Sequence, residues 1–144
     1  METNKAAFSL EKFYFEKVLL DNTQSEDSEE IKLDFHPSGE FYSSGNNSLF
    51  DLKLRFRAYS ISRDKDNPDV DITLKATFKF DGLLELDEVP SYFYGNSIAI
   101  VFPYIRAFVS TLSLQSNHSS KLIVLPTLNL SQLSVPLREN TIKR

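Results

Sequence analysis

From Ser48 to Ile61 the chain reads SLFDLKLRFRAYSI. Phe50, Leu52, Leu54, Phe56 and Ala58 fall at one parity, and Asp51, Lys53, Arg55 and Arg57 at the other. Side chains alternate between the two faces of a strand, so this period of two marks a strand with one buried and one wet face. Val70 to Phe80 repeats the pattern, with Val70, Ile72, Leu74, Ala76, Phe78 and Phe80 alternating with Asp71, Thr73, Lys75, Thr77 and Lys79. The polar stretch SRDKDNPD between the two reads as a turn, and the pair as an antiparallel hairpin. Phe8 to Leu20 is a third strand with mixed faces: Phe8, Leu10 and Tyr14 share one parity, and Phe13, Phe15 and Leu19 the other. Such a switch implies a bulge or a strand partly covered on both faces. Ile31, Leu33 and Phe35 align in a short fourth strand. Strands are thus expected over about 8–20, 31–35, 48–61 and 70–85, with the acidic stretch from Asp21 to Glu30 and the segment around Asn46-Asn47 as loops.

The period changes after Leu86. DEVPSYFYGNS shows no usable periodicity, and a helix is expected over about 97–116, capped by Asn96 or Ser97. Ile98, Val101, Phe102, Ile105, Phe108, Val109 and Leu112 form one apolar stripe at i, i+3, i+4 spacing. An interior proline costs ~3 kcal/mol, so Pro103 is expected near the first position of a new helix after a short first turn. Pro126 makes LIVLPTLNL extended, giving a Pro-containing loop over about 121–131. Pro136 leaves the tail, about 132–144, at most a short second helix. Strands first and a helix after them indicate an α+β domain with the helix on one face of an antiparallel sheet.

Length and composition narrow the function classes. The 144 residues suit one domain with a real core. A net charge of -4 argues against nucleic acid, whose affinity comes from clustered Lys and Arg. The chain has no cysteine, so disulfides, thiol nucleophiles and thiolate metal sites are excluded. The N-terminal stretch lacks the basic and apolar regions of a signal peptide. The longest apolar run, Ile98 to Tyr104, is too short to span a bilayer, so a cytoplasmic protein without membrane insertion is expected. His36 and His118 are isolated and share no metal-ligand spacing. There is no phosphate-binding glycine loop and no GxSxG, so no enzyme, cofactor or metal is expected. The 12 Phe and 6 Tyr stand out instead, several of them in Tyr92-Phe93-Tyr94. Loops lie on surfaces, so aromatics in an irregular segment point to an interface; the plainer alternative is that they fold back over the sheet.

Ser97 to Leu112, SIAIVFPYIRAFVSTL, followed by LPTLNLSQL at Leu125 to Leu133, resembles the signature region of the SecB export chaperones. The matching parts are the block Phe102-Pro103-Tyr104-Ile105-Arg106 and the loop Pro126-Thr127-Leu128-Asn129-Leu130. FSLEKFYFEKVLLD, from Phe8 to Asp21, is similar to the family's first strand, and Asp81-Gly82 to the end of its third. The resemblance implies a SecB-like fold: a four-stranded antiparallel sheet, one long helix interrupted by proline, and assembly as a tetramer, a dimer of dimers. It also implies an ATP-independent holdase that binds non-native polypeptides, including precursors for export, and delivers them to the SecA motor.

The implied client groove takes in Tyr92, Phe93, Tyr94, Phe102, Leu125, Leu128 and Leu130. The implied oligomer interface takes in Ala76, Phe78, Phe80, Ile105, Phe108, Val109 and Leu112. The sheet surface that would face the motor carries Lys17, Asp21, Lys75 and Thr77. Better-known members present an acidic patch there, whereas Asp21 is the clearest acid left on this reading, so electrostatic complementarity to the motor is weakened. Two alternatives stay open: a dedicated chaperone for one partner, such as the antitoxin of a toxin–antitoxin pair, and a SecB-fold adaptor without clients.

Overall fold

The computed structural model describes residues 7–21, 31–60, 66–116 and 130–144. Along the chain run β1 (Phe8–Leu20), β2 (Ile31–Ser44), β3 (Asn47–Ser60), β4 (Val70–Phe80), α1 (Ser91–Ser116), α2 (Ser134–Glu139) and β5 (Thr141–Lys143). Short 3-10 turns occupy Leu86–Glu88 and Leu130–Leu133. The sheet order is β1-β4-β3-β2-β5. Neighbours among β1 to β4 are antiparallel, and β5 lies parallel to β2. The architecture is α+β as expected, but among the described residues the sheet is mixed and has five strands rather than four antiparallel ones.

The hairpin of β3 and β4 follows the alternation read from the sequence, with Phe50 opposite Phe78, Leu52 opposite Ala76 and Leu54 opposite Leu74. In β1 the register shifts between Leu10 and Lys12 and again between Phe15 and Lys17. Each bulge adds one residue and reverses the parity. The extra residues therefore return Phe8, Leu10, Phe13, Phe15 and Leu20 to the core side, where all of them pack against the buried cluster.

β2 runs to Ser44 instead of ending at Phe35, and a two-residue turn at Gly45-Asn46 joins it to β3. Gly45 has φ +63°, which suits the tight reversal. Pro37 and Gly39 are both tolerated within β2. The carbonyl of Pro37 accepts from the Asn140 side chain on the outer edge, away from β3, so the missing N–H costs no bond to β3. Gly39 is required by contact: a Cβ there would stand 2.3 Å from Cζ of Phe50. At the same end of the sheet as that turn, β4 stops at Phe80, short of the expected 85, where Asp81 and Gly82 leave the strand with φ +101° at Gly82.

Helix α1 begins at Ser91, about six residues before the expected start, and Asn96 and Ser97 lie inside it. It is also continuous through Pro103. Pro103 and Ala99, one turn earlier, are both exposed, so water can satisfy the carbonyl that the proline leaves without a donor. Burial of Phe102 and Ile105 on the opposite side offsets the rest of the cost. The centre of the core is Phe93, fully buried, with ring centroids 4.8 Å from Phe8, 4.8 Å from Phe50 and 5.0 Å from Phe80. Edge-to-face packing of this kind adds to plain area burial. α2 is short, as Pro136 suggested, and it buries Leu137 in the same core.

Candidate functional site

α1 is 26 residues long and carries one charged residue, Arg106. Its inner face is the apolar stripe read from the sequence. Its outer face, with Tyr92, Ala99, Ile100, Pro103, Tyr104, Ala107 and Leu114, is exposed and still largely apolar. A helix apolar on nearly all sides is normally covered on all sides, so this outer face is a surface in want of a partner.

Beside it lies a seam of aromatic rings between α1 and β1. Tyr104 lies tilted against Phe13 with centroids 4.4 Å apart, and Phe108 stacks on Phe15 at 4.2 Å, while Phe13 and Phe15 meet edge to face at 6.4 Å. Tyr104 is 44% exposed, and Phe13, Phe15 and Phe108 are half-buried. β1 stands at the margin of the sheet and pairs only with β4 among the described residues. Tyr14, Val18 and Leu19 are exposed along it. A strand edge presents unpaired N–H and C=O groups to any extended chain. Ladder and seam together can thus hold a polypeptide by its backbone and by its apolar side chains.

A second feature is a cavity of about 500 Å³ lined by Glu85, Leu86, Asp87, Tyr94, Arg138, Thr141 and Lys143. Burial raises the pKa of Tyr94 against the opposing charge of Arg138, whose guanidinium stands 5.4 Å over the ring. The Lys143–Glu85 ion pair closes one rim at 3.4 Å.

The outer sheet face is a network of ion pairs. Arg55 donates from Nε and Nη2 to the two oxygens of Asp71, at 3.1 and 2.8 Å, and Lys17 adds a bond of 3.0 Å. These donors, Arg55 first, hold the Asp71 carboxyl below the usual carboxylate range although burial works against them. At Asp34 burial is the larger single influence and pushes upward. Hydrogen bonds from Arg57 and His36 outweigh it together, and its carboxyl too is held low.

The residues singled out from the sequence scatter across these regions. Of the expected groove, Phe93, Tyr94 and Phe102 are core residues of the chain, 0%, 3% and 4% exposed. Phe93 and Tyr94 belong to a helix rather than to an irregular segment, and helical spacing turns them, like Phe102, inward, so no client reaches them without unpacking the core. Tyr92 is exposed at the start of the same helix. Leu130 opens the second 3-10 turn and packs half-buried against the core. Leu125 and Leu128 lie outside the described residues, as do His118 and the acidic run at 26–30.

Of the expected oligomer interface, Ala76, Phe78, Phe80, Ile105 and Val109 are buried inside the chain between sheet and helix. They face α1 or the sheet and offer nothing to a second copy. Phe108 and Leu112 are half-buried at the margin of the core. Lys17, Lys75 and Thr77 do share the outer sheet face. Lys17 is engaged by Asp71, and Thr77 donates to Asp51 at 2.8 Å. The Asp21 N–H donates to the Asp69 carbonyl at 2.8 Å. That face is also more acidic than its reading from sequence, since Asp34, Asp51 and Asp71 lie on it. Their neighbouring cations neutralise them.

Sequence reasoning missed the seam. The mixed parity of β1 was its one signal, because only the placed bulge between Leu10 and Lys12 shows that Phe13 and Phe15 face the same side as Phe8 and Leu10. Ile100, Tyr104, Ala107 and Leu114 also form a second apolar stripe on α1, legible once the first is assigned to the core.

A mixed sheet covered on one face by a long helix and a short second one, with the FPYxR block inside the long helix, is a SecB-like fold. Solved structures bear this out. The chain is similar to a SecB-like chaperone from Mycobacterium tuberculosis, solved in complex with a ChAD peptide from the HigA1 antitoxin. That likeness has a TM-score of 0.59 and 12% identity over 85% of this chain and 91% of that one. It is also similar to a protein of unknown function from Streptococcus agalactiae, with a TM-score of 0.52 and 12% identity over 84% of this chain and 98% of that one. No family profile and no curated protein sequence matches the chain.

Proposed function

We propose that this chain is an ATP-independent chaperone that holds non-native polypeptides in extended form along the seam between α1 and β1. The observation that carries this is the aromatic seam beside the one-sided edge of β1, in a SecB-like fold. Backbone bonding at the edge is indifferent to client sequence. The rings of Phe13, Phe15, Tyr104 and Phe108 accept apolar side chains at roughly 25 cal/mol per Å² buried. Nothing in this reading needs a catalytic step or a nucleotide, and it sets the protein among precursors in the cytoplasm.

The apolar outer face of α1 supports self-association through helices, and the reading includes a tetramer of the 16.5 kDa chain. Service to SecA is the least supported element, because the carboxylates of the outer sheet face are already engaged by their own cations. One observation favours a second reading, a chaperone dedicated to a single partner: the similar Mycobacterium tuberculosis protein was solved with a peptide from one antitoxin.

The purified chain should suppress light scattering from several diluted, unfolded clients at near-stoichiometric ratio without nucleotide. Suppression confined to one client, or recovery of one dominant small protein in a pull-down, selects the dedicated reading. Absence of suppression with every client and every recovered partner overturns both.

A further inference from the structure

Arg144 lies on the outer sheet face, near the margin opposite β1. Its Nε donates to Oε2 of Glu40 at 2.8 Å, and its Nη2 bonds the same oxygen and reaches Oδ2 of Asp51 at 3.3 Å. The guanidinium stands 4.1 Å over the ring of Tyr42. Asp51 is not a loose surface acid: its side chain is 10% exposed. Tyr42 Oη and Thr77 Oγ1 both donate to its Oδ1, at 3.0 and 2.8 Å, which leaves Oδ2 turned toward the guanidinium. A planar cation thus meets two carboxylates and a ring face, an arrangement that suits arginine and not lysine.

The backbone is read at the same place. Thr141, Ile142 and Lys143 run beside Gly39, Glu40 and Phe41 in parallel register. The Gly39 N–H donates to the Asn140 carbonyl at 3.2 Å, and the Arg144 N–H to the Phe41 carbonyl at 2.8 Å. This attachment is short and wet. It spans three residues of strand, Ile142 is exposed, and Arg144 is about half exposed. The surface beyond it is hollow on both sides. One cavity of about 420 Å³ is walled by Tyr42, Ser44 and Thr77 among others. Another of about 200 Å³ is walled by Glu40, Asp51 and Ile142.

We propose that the β2 edge and the Glu40–Asp51–Tyr42 pocket form a recognition site for an arginine-bearing extended polypeptide, and that the chain's own Thr141–Arg144 segment occupies it as an exchangeable internal ligand. The internal strand defines what fits: an extended backbone parallel to β2, with an arginine placed to lie over Tyr42. Tethering gives that strand an effective concentration in the millimolar range. An outside segment therefore binds with its affinity divided by the fraction of time the site stands open. The inference does not depend on the holdase reading, since Tyr104 and Arg144 lie at opposite margins of the sheet and can be changed separately.

The test uses a fluorescein-labelled synthetic peptide, LRENTIKR, titrated by anisotropy into the full-length chain and into its Arg144→Ala variant. The variant should bind the peptide at least tenfold more tightly than the parent. A peptide ending in alanine instead of arginine should bind neither. Adding Glu40→Gln to the variant should abolish the gain. In the variant, amide exchange at Gly39 should accelerate while that at Leu54, in the centre of the sheet, stays unchanged; this also establishes that the variant is folded. Equal affinity for parent and variant, equal binding of the alanine peptide, or unchanged exchange at Gly39 overturns the proposal.

Discussion

Replacing Gly39 by alanine tests the packing of β2 at its tightest point. The added Cβ would lie 2.3 Å from Cζ and 2.7 Å from Cε1 of Phe50, and 3.1 Å from Oγ1 of Thr141. Ordinary carbon contacts begin at about 3.5 Å, so the ring has to retreat by roughly 1 Å. It has little room to do so. Phe50 is fully buried, with Phe93 at 4.8 Å and Tyr94 at 6.1 Å, and those rings belong to the core. Two effects oppose each other. Alanine lowers the entropy of the unfolded chain and on that ground stabilises by about 0.4–1 kcal/mol. Overpacking a filled core costs about 1–3 kcal/mol. The contact is far inside van der Waals range and its target is a locked ring, so the second effect wins. A net loss of about 1–2 kcal/mol is expected, which for a chain of this size lowers Tm by roughly 3–8 °C.

Urea unfolding followed by far-UV circular dichroism measures the loss directly, and Phe50→Leu in the same background locates its cause. Leucine is shorter along the direction of the clash. The double variant should therefore be more stable than the sum of the single changes allows, by about 0.5–1 kcal/mol or more. A Gly39→Ala protein as stable as the parent would refute the close approach. Strict additivity with Phe50→Leu would place the strain elsewhere.

Three further outcomes follow from the same packing. Phe93→Ala should cost about 3–5 kcal/mol in urea unfolding, while Tyr92→Ala, one residue earlier and exposed, should stay within about 0.5 kcal/mol; similar losses for both would contradict the helix phase. Asp71 is held low by Arg55 and Lys17. A depressed carboxylate stabilises the fold fully above the unfolded pKa, near 4, and that contribution disappears as pH falls through the lower folded value. Asp71→Asn should thus lower stability at neutral pH and flatten the acid side of the stability–pH curve, and parallel curves for variant and parent would contradict the assignment. Tyr104→Ser should leave stability within about 0.5 kcal/mol and weaken suppression of client aggregation severalfold; full suppression by this variant would remove the seam from the proposed function.

Much of the fold was legible because periodicity reports local geometry. The alternation in β3 and β4 and the stripe from Ile98 to Leu112 each describe one element facing one core, and both hold in the structure. The family likeness of the FPYxR block pointed to the SecB-like fold that the solved structures share. Pro103 was expected to interrupt the helix, and two residues inside β2 are of the same kind. Pro37, Gly39 and Pro103 break an isolated strand or helix. Each is tolerated by something distant in the chain: the Asn140 side chain at the outer edge of β2, the ring of Phe50, and a core that holds α1 together on its other side.

The candidate site was the harder part. An aromatic residue counts as surface or core according to its phase in an element, and the early start of α1 turned Phe93 and Tyr94 inward while leaving Tyr92 outside. The seam needs the bulge between Leu10 and Lys12 to turn Phe13 and Phe15 to the core side with Phe8, beside Tyr104 and Phe108, residues some ninety positions later. β5 and the seat of Arg144 depend on a parallel pairing with a strand about a hundred residues away. Local propensity carries no record of such pairings, because the energy that selects them exists only once the sheet and its core have formed. Composition and pattern thus named the layers of this protein, and tertiary contact chose which aromatics face outward and which strand edges are filled.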